Sequence, residues 1–585
     1  MIKKKQLIST NLSPSFKKEK DFFFLGSWCS KKFELINKKQ YQTNRWNNHR
    51  IIKKDYTYLS NLFVRILDAI PNCLNKYHNL SFPKKFWQSL IWLWLTHYIT
   101  SNYFRWKTVE KTIQNNKNLI YYYKINQKNL YIYNTLDFYK YISSSDYYNE
   151  FFFQRIIKKF KSKILIKKVK NKISFRSERE KLSKYNLKIK FLQKTLSIIS
   201  RIFFYRANLL ICGGFSFKNF LFLHFKKLFV PLIVEEEFKR PQYIELKTLS
   251  LENEKKRKEI KIKFKPKNKF ESYIHENLLK DMPIFFMEKF KEELEYSEKV
   301  KINPKLIISS SEHQYNEKYK LWILIKRFFS KIKITILEHG GNHVDLNWDF
   351  EHDKIIGNKF YGWHKSKNIK KLPVPKYIGI ITKKNYNRKN LVYCGYETTK
   401  YPSKISRSSH GFENLESIKN LKEISKNLNK EIYKNFFYCE KKFEDLRIRR
   451  NLINLIGVKK IKRSGSFVKE LDKAKLMICD YPQTTFFDCI LRCPTILVVD
   501  YKNTWQPNDH LKKTYLELKK KGVVFNDIKD AVKFINENWD NLDEWWRSKR
   551  IVNVKKKLLK DFNIETKRKS LSKWEEYISN NLYNF

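Results

Sequence analysis

The stretch from Leu476 to Asp500, LMICDYPQTTFFDCILRCPTILVVD, leaves this chain few ways to fold. Leu476 to Cys479 is an apolar run of strand length, closed by Asp-Tyr-Pro. Thr484-Thr485 then open a short helix, Pro494 ends it, and a second apolar strand runs from Thr495 to Val499. Strand, polar turn, short helix, strand is one half of a nucleotide-binding α/β unit. The hydroxyls of Thr484 and Thr485 then fall just beyond the C-terminal edge of a strand, where open parallel sheets bind phosphorylated ligands. The plainer reading is that Thr484 only caps its helix.

The alternation recurs upstream. Leu306 to Ile308 reads as a strand, Glu317 to Phe329 as a helix and Ile332 to Leu337 as a strand, followed by the turn Glu338-His339-Gly340-Gly341. Asn390 to Tyr393 begins a second series, with a helix over Leu415 to Ile432 and a strand near Val458 to Ile461. A chain of 585 residues is too long for one core. The pattern predicts an α/β architecture of two Rossmann-like domains facing a cleft. Residues 1–380 form an N-terminal domain with helical insertions, 381–545 a C-terminal nucleotide-binding domain and 546–585 a helical tail, hinged near Lys376 to Lys389. Tyr58 to Leu67 and Phe86 to Ile99 carry helical periodicity, and Gln154 to Lys190 reads as basic and helical. Phe86 to Ile99 is the longest apolar stretch. It holds Gln88, Ser89 and His97 and is too short to span a bilayer.

The formal net charge is +63, from 121 Lys+Arg against 58 Asp+Glu. Such a balance attracts polyanions, either nucleic acid or an anionic membrane. The Lys residues are dispersed, accompany abundant Asn, Ile, Tyr and Phe, and fall in no helix-turn-helix, zinc-finger, RRM or KH pattern. No specific nucleic-acid partner is expected. The basic N-terminus lacks the apolar core of a signal peptide. The 8 Cys show no metal-like spacing and read as reduced core residues. Together these place the protein in the cytoplasm, peripheral to an anionic membrane surface.

Several short segments carry a family likeness. They are FLGSWC near Phe24, RWNNHR at Arg45 to Arg50, Leu74, Asn75 and His78, Trp87, Trp94-Leu95 and Arg105-Trp106. In the second half follow EHGG at Glu338 to Gly341, TTFFD at Thr484 to Asp488, KKGVVF at Lys520 to Phe525, and NLDEWW ending at Trp546. In this order along nearly the whole chain they resemble a transferase family of bacterial O-antigen and surface-polysaccharide biosynthesis clusters, similar to GT-B glycosyltransferases. The resemblance implies transfer of a sugar from a nucleotide donor to a lipid-linked or surface glycan at the inner membrane, with no cofactor. A glycerol- or polyol-phosphate transferase using a CDP donor is the alternative. A basic, non-catalytic nucleic-acid- or membrane-binding protein is the alternative of another class. The chain departs from the family pattern in Glu338, where Gln is usual, in Asp488 for Glu, and in NFFYCE for an Arg-rich strand.

His339 is the candidate catalytic residue: a turn imidazole followed by two glycines can take a proton from an acceptor hydroxyl. Gly340 and Gly341 let a donor approach the backbone, and Thr484, Thr485 and Asp488 complete the donor-binding set, Asp488 as a ribose partner. In this architecture the N-terminal domain takes the acceptor, and Trp28, Trp46, His49 and Arg50 suit sugar rings and lipid phosphates. Each Trp is equally suited to an aromatic core. His343, Asp345, Asp349, Glu351, His352 and Asp353 form an acidic and His-containing run whose spacing matches no standard ligand set, so no metal is expected.

Overall fold

The structure is a computed structural model. It describes residues 4–13, 22–29, 41–123, 131–169, 180–181, 208–227, 243–244, 248–340, 350–364, 372–380, 388–395, 399–405, 413–440, 446–463, 467–499 and 506–583, with residues 195, 198, 229, 238 and 346 singly. Among these the strands gather into three parallel sheets and one small antiparallel pair. The first sheet joins β1 (Lys5–Ile8), β2 (Phe22–Phe24), β3 (Leu119–Tyr123) and β4 (Leu165–Lys168) in the order β2-β1-β3-β4. Next in the chain come β5 (Glu180–Lys181), β6 (Leu209–Cys212) and β7 (Tyr243–Ile244), of which β5 and β7 pair with each other. β6 instead joins β8 (Leu306–Ser309), β9 (Lys333–Leu337) and β10 (Lys359–Tyr361) in the second sheet, ordered β10-β9-β8-β6.

The third sheet contains β11 (Asn390–Cys394), β12 (Phe436–Glu440), β13 (Ile461–Arg463), β14 (Ala474–Cys479), β15 (Thr495–Val498) and β16 (Val524–Phe525). Its order is β13-β12-β11-β14-β15-β16, every pairing parallel. Counted from β11 this is 3-2-1-4-5-6, the doubly wound order, and it reverses between β11 and β14. Leu476, Met477 and Ile478 are fully buried because helices cover both faces, which is why β14 reads as a continuous apolar run.

Two long helices, α1 (His49–His78) and α2 (Lys84–Asn115), back the first two sheets. Asn48 starts α1 by accepting the N–H groups of Arg50 and Ile51, and Asn79 ends it in a left-handed conformation. α2 buries Trp87, Leu90, Trp94, Tyr98 and Phe104, so the stretch Phe86 to Ile99 belongs to the first half of a core helix. No helix among the described residues is long and apolar enough to cross a membrane. All eight cysteines are buried free thiols.

One core lies among the first sheet, α1, α2 and one face of the second sheet. Another surrounds the third sheet, takes in the helix Lys549–Asp561, and includes Trp363 and Tyr377 of the connecting segment. The last helix, Ser572–Leu582, returns to the second sheet, where Leu571, Trp574, Ile578 and Leu582 cover its other face. The Trp574 indole N–H donates to the Pro373 carbonyl at 2.8 Å, and the Tyr577 and Thr335 hydroxyls lie 2.6 Å apart.

The fold is therefore α/β and GT-B-like, with Rossmann-like units on the second and third sheets. Two segments differ from their sequence reading. Of the basic stretch Gln154 to Lys190, the described part is helical to Lys158 and then forms β4; residues 170–179 and 182–190 lie outside the described residues. As an edge strand β4 carries Lys167 and Lys168 on solvent, so it lacks the apolar alternation that marks a strand. Leu415 to Ile432 is two helices, Glu413–Asn427 and Lys430–Lys434, divided at Leu428-Asn429.

Candidate functional site

Strand order reverses between β11 and β14, the point at whose C-terminal ends a doubly wound sheet receives its ligand. Asp480 follows β14 directly, and the Tyr393 hydroxyl of β11 donates to its Oδ2 at 3.2 Å. Tyr393 stacks on Tyr438 of β12 with ring centroids 5.7 Å apart. Gly395, just after β11, lies under Tyr438; a Cβ there would sit 2.0 Å from the phenol oxygen. Asp480 and Gly395 were not singled out from sequence. The signal was an acid immediately after a buried strand, legible only once the strand order is known.

From Asp480 the chain turns through Pro482 into the helix Thr484–Ile490. Its N-cap is Gln483, which makes no side-chain cap bond, so Thr484 is the first helical residue and not the cap. Phe486 and Phe487 are fully buried and anchor the helix, leaving Thr484 and Thr485 partly exposed on its first turn. The Tyr377 hydroxyl donates to the Thr484 carbonyl at 3.3 Å. Burial first, and the charge of Asp488 second, hold that phenol well above its ordinary pKa, so it remains a donor. Asp488 accepts from Lys376 Nζ at 2.8 Å, an ion pair to the connecting segment.

Opposite stands the turn after β9. The Glu338 carboxylate accepts the backbone N–H of Trp363 at 2.8 Å, while the Trp363 indole N–H donates to the Glu338 carbonyl at 3.0 Å. Glu338 thus closes the turn onto Trp363, whose ring lies 6.0 Å from Phe487. His339 is exposed. Gly340 has φ +73, and a Cβ on it would lie 2.9 Å from Thr484 Oγ1. Only glycine fits a left-handed turn pressed that closely against another unit. The two neighbouring strand ends pack beside it: Gly214, at φ +84, would place a Cβ 2.9 Å from Leu337 and 3.4 Å from Ser310. His339-Gly340 of the second sheet and Thr484-Thr485 of the third therefore meet at facing strand ends. Gly341 lies outside the described residues, as do His343, Asp345 and Asp349.

The four acceptor-side candidates separate into two pairs. Trp28 is 3% exposed, donates its indole N–H to the Ser9 carbonyl at 3.0 Å and stacks on Phe153. Trp46 is 0% exposed and donates to Asp55 at 3.0 Å. Both indoles lie inside the core, where a sugar ring has no approach: the aromatic-core alternative describes their surroundings. His49 and Arg50 begin α1 and line a pocket of about 440 Å³ with Lys53, Lys54, Thr57, Gln506 and Lys512. Gln506 and Lys512 come from the third-sheet unit, so this basic pocket lies between the two halves. Sequence reasoning missed those two because nothing local marks them. Among the described residues, the side chains placed to share a cation are His313, His352 and Asp353, buried behind β8.

A sequence profile of the LIC12162 family transferases matches residues 5–578. No curated protein matches the chain in sequence. Among solved structures it is remotely similar to S. aureus MnaA with UDP, at 10% identity and TM-score 0.36, over 64% of this chain and 98% of that one. It is similar also to a UDP-N-acetylglucosamine 2-epimerase, at 8% identity and TM-score 0.31, over 65% and 96%.

Proposed function

The chain belongs to the LIC12162 family and is a transferase, and from that premise we propose that it moves a sugar from a nucleotide donor to a lipid-linked or surface glycan, in O-antigen or capsule assembly. The observation that carries this is the apposition of Gly340 and Thr484, 2.9 Å from a Cβ on the glycine to the threonine hydroxyl oxygen. It supports a site in which His339 stands near the strand ends where a doubly wound sheet receives phosphorylated ligands. In this reading the Thr484 and Thr485 hydroxyls hold the donor phosphates. His339 takes the proton of the attacking acceptor hydroxyl, and Arg50, Lys53, Lys54 and Lys512 attract the acceptor's phosphate. Asp480, at the reversal of strand order, is better placed than Asp488 to accept from a ribose, since Lys376 ties Asp488 to the connecting segment.

A thermal-shift panel of UDP, GDP, CMP and CDP tests the reading. One nucleotide is expected to raise the melting temperature saturably, by mass action. A response to CDP alone moves the assignment to a polyol-phosphate donor, and no response to any sinks it. Replacing Thr484 and Thr485 together by Val keeps their size and removes both hydroxyls. Affinity for the responding nucleotide is expected to fall by about 1–3 kcal/mol, measured by calorimetry on a variant with unchanged melting.

Membrane association follows from the same reading. Lys4, Lys158, Lys159, Lys161, Lys163 and Lys168 line an open groove of about 1190 Å³ at the β4 edge, beside Leu165 and Ile166. The protein is expected to co-sediment with phosphatidylglycerol vesicles at low ionic strength and to be released by salt, because exposed charges are screened. Sedimentation that survives molar salt points instead to apolar insertion.

A further inference from the structure

Behind β8 the chain buries a cluster that sugar transfer does not use. His313 and His352 are 0% exposed and Asp353 is 7% exposed. His313 belongs to the short helix Glu312–Tyr315, and the other two begin the helix His352–Ile356. Ser309, at the end of β8, lies 3.0 Å from His313 Nδ1, which turns Nε2 toward Asp353 Oδ1 at 2.9 Å. Gln314 Nε2 reaches the same carboxylate at 3.3 Å. His352 Nδ1 is 3.6 Å from Asp353 Oδ1, too far for a hydrogen bond, and neither of its ring nitrogens has a hydrogen-bond partner. One ligand atom from each of the three residues lies within 4.8 Å of the others.

We propose that His313, His352 and Asp353 hold one divalent transition-metal cation of zinc-like preference. Two buried imidazoles and a carboxylate are the donor types such ions take. Ligand atoms about 2.0–2.1 Å from a tetrahedral ion stand roughly 3.3 Å apart, and the separations of 2.9 and 3.6 Å at Asp353 Oδ1 bracket that spacing. Ser309 supplies the outer hydrogen bond that fixes a ligating imidazole. A cation also gives His352 the partner that a fully buried imidazole otherwise lacks, at a cost few native structures bear.

The nearby buried cation, Lys320, is offset by Glu317 at 3.4 Å. The alternative, a Ser309–His313–Asp353 relay for nucleophilic catalysis, fails on two counts. Ser309 is 0% exposed, so no substrate reaches it. The ring is also reversed, with Nδ1 toward the serine and Nε2 toward the carboxylate, opposite to the working order of such a relay. The metal ties the end of β8 to the segment between β9 and β10, and so stiffens the region that carries His339 and Gly340.

The experiment uses the full chain, purified without chelator and dialysed, with metal content measured by mass spectrometry. About one equivalent is expected. Chelator-stripped protein should regain a melting temperature several degrees higher on adding one equivalent of Zn²⁺. His352→Leu should lose that response, and without metal should melt no lower than the stripped wild type, because it removes an unpartnered buried imidazole. Asp353→Asn replaces it if His352→Leu does not fold. A wild type that holds no metal and ignores Zn²⁺ overturns the proposal, as does a variant that keeps the wild-type response, which places the metal elsewhere.

Discussion

His339→Ala is expected to lower the transfer rate by roughly 10²–10⁴-fold while leaving thermal melting almost where it was. The two effects separate because of where the ring sits. His339 is exposed on a turn whose shape is held by its neighbours: the Glu338 carboxylate grips the Trp363 N–H at 2.8 Å, and Gly340 supplies the left-handed residue. Removing an exposed imidazole from such a turn costs the fold little. His339→Gln distinguishes a base from a positioning group, since an amide can donate and accept hydrogen bonds but does not exchange a proton at neutral pH. Near-full activity in the Gln variant would transfer the base role elsewhere, with Asp480 and Glu312 the next groups to test. Glu338 is a poorer choice because its carboxylate already serves Trp363. A large drop in melting with Ala would return His339 to a structural role.

Trp46→Ala is expected to do the reverse: it should destabilise by about 3–5 kcal/mol and leave acceptor KM unchanged in whatever protein remains folded. The indole is fully buried, 4.9 Å from the Phe104 ring. Its N–H is one of several donors to Asp55, which also accepts from Arg45 at 2.6 Å and Tyr103 at 2.9 Å. Truncation therefore opens a ring-sized cavity and strips a donor from a carboxylate that is only 1% exposed. Trp46→Phe keeps most of the volume and should recover more than half of the loss. Urea unfolding at equilibrium measures both. A raised acceptor KM with unchanged stability would restore Trp46 to the acceptor site.

Those two residues also show what was legible in the sequence. The turn at His339 and the helix at Thr484 each follow a strand buried on both faces, and such runs identify themselves. The helix Glu317–Phe329 has the bounds that its periodicity gives. What the chain does not announce is how the sheets are ordered. Asp480 becomes notable only because β14 lies beside β11 across the reversal, where its partner Tyr393 is 87 positions away in sequence. Trp28 and Trp46 could not be sorted into core or surface, because an aromatic residue in a polar, basic segment has the same local signature in both. The His313, His352 and Asp353 cluster was unreadable for a related reason. Its ligand spacing is set by the packing of two short helices that lie 39 residues apart, not by a run of sequence, so the acidic stretch around His352 matches no standard ligand set by itself.

The return of the last helix to the second sheet has a consequence for how the chain is made. The sheet face formed by Leu209, Ile211, Leu306, Ile308 and Leu337 is covered by Leu571, Trp574, Ile578 and Leu582. Between Pro373 and the Trp574 that caps it lie 201 positions. At ribosomal rates of about 5–20 residues per second, that face waits roughly 10–40 s for its cover. During that interval the third-sheet unit, begun later, can already close around its own core. The half synthesised first is finished last, and a nascent chain stalled before Leu571 presents an apolar sheet face covered only in part, by Phe220, Phe222 and Leu223, to whatever chaperone or neighbouring chain meets it.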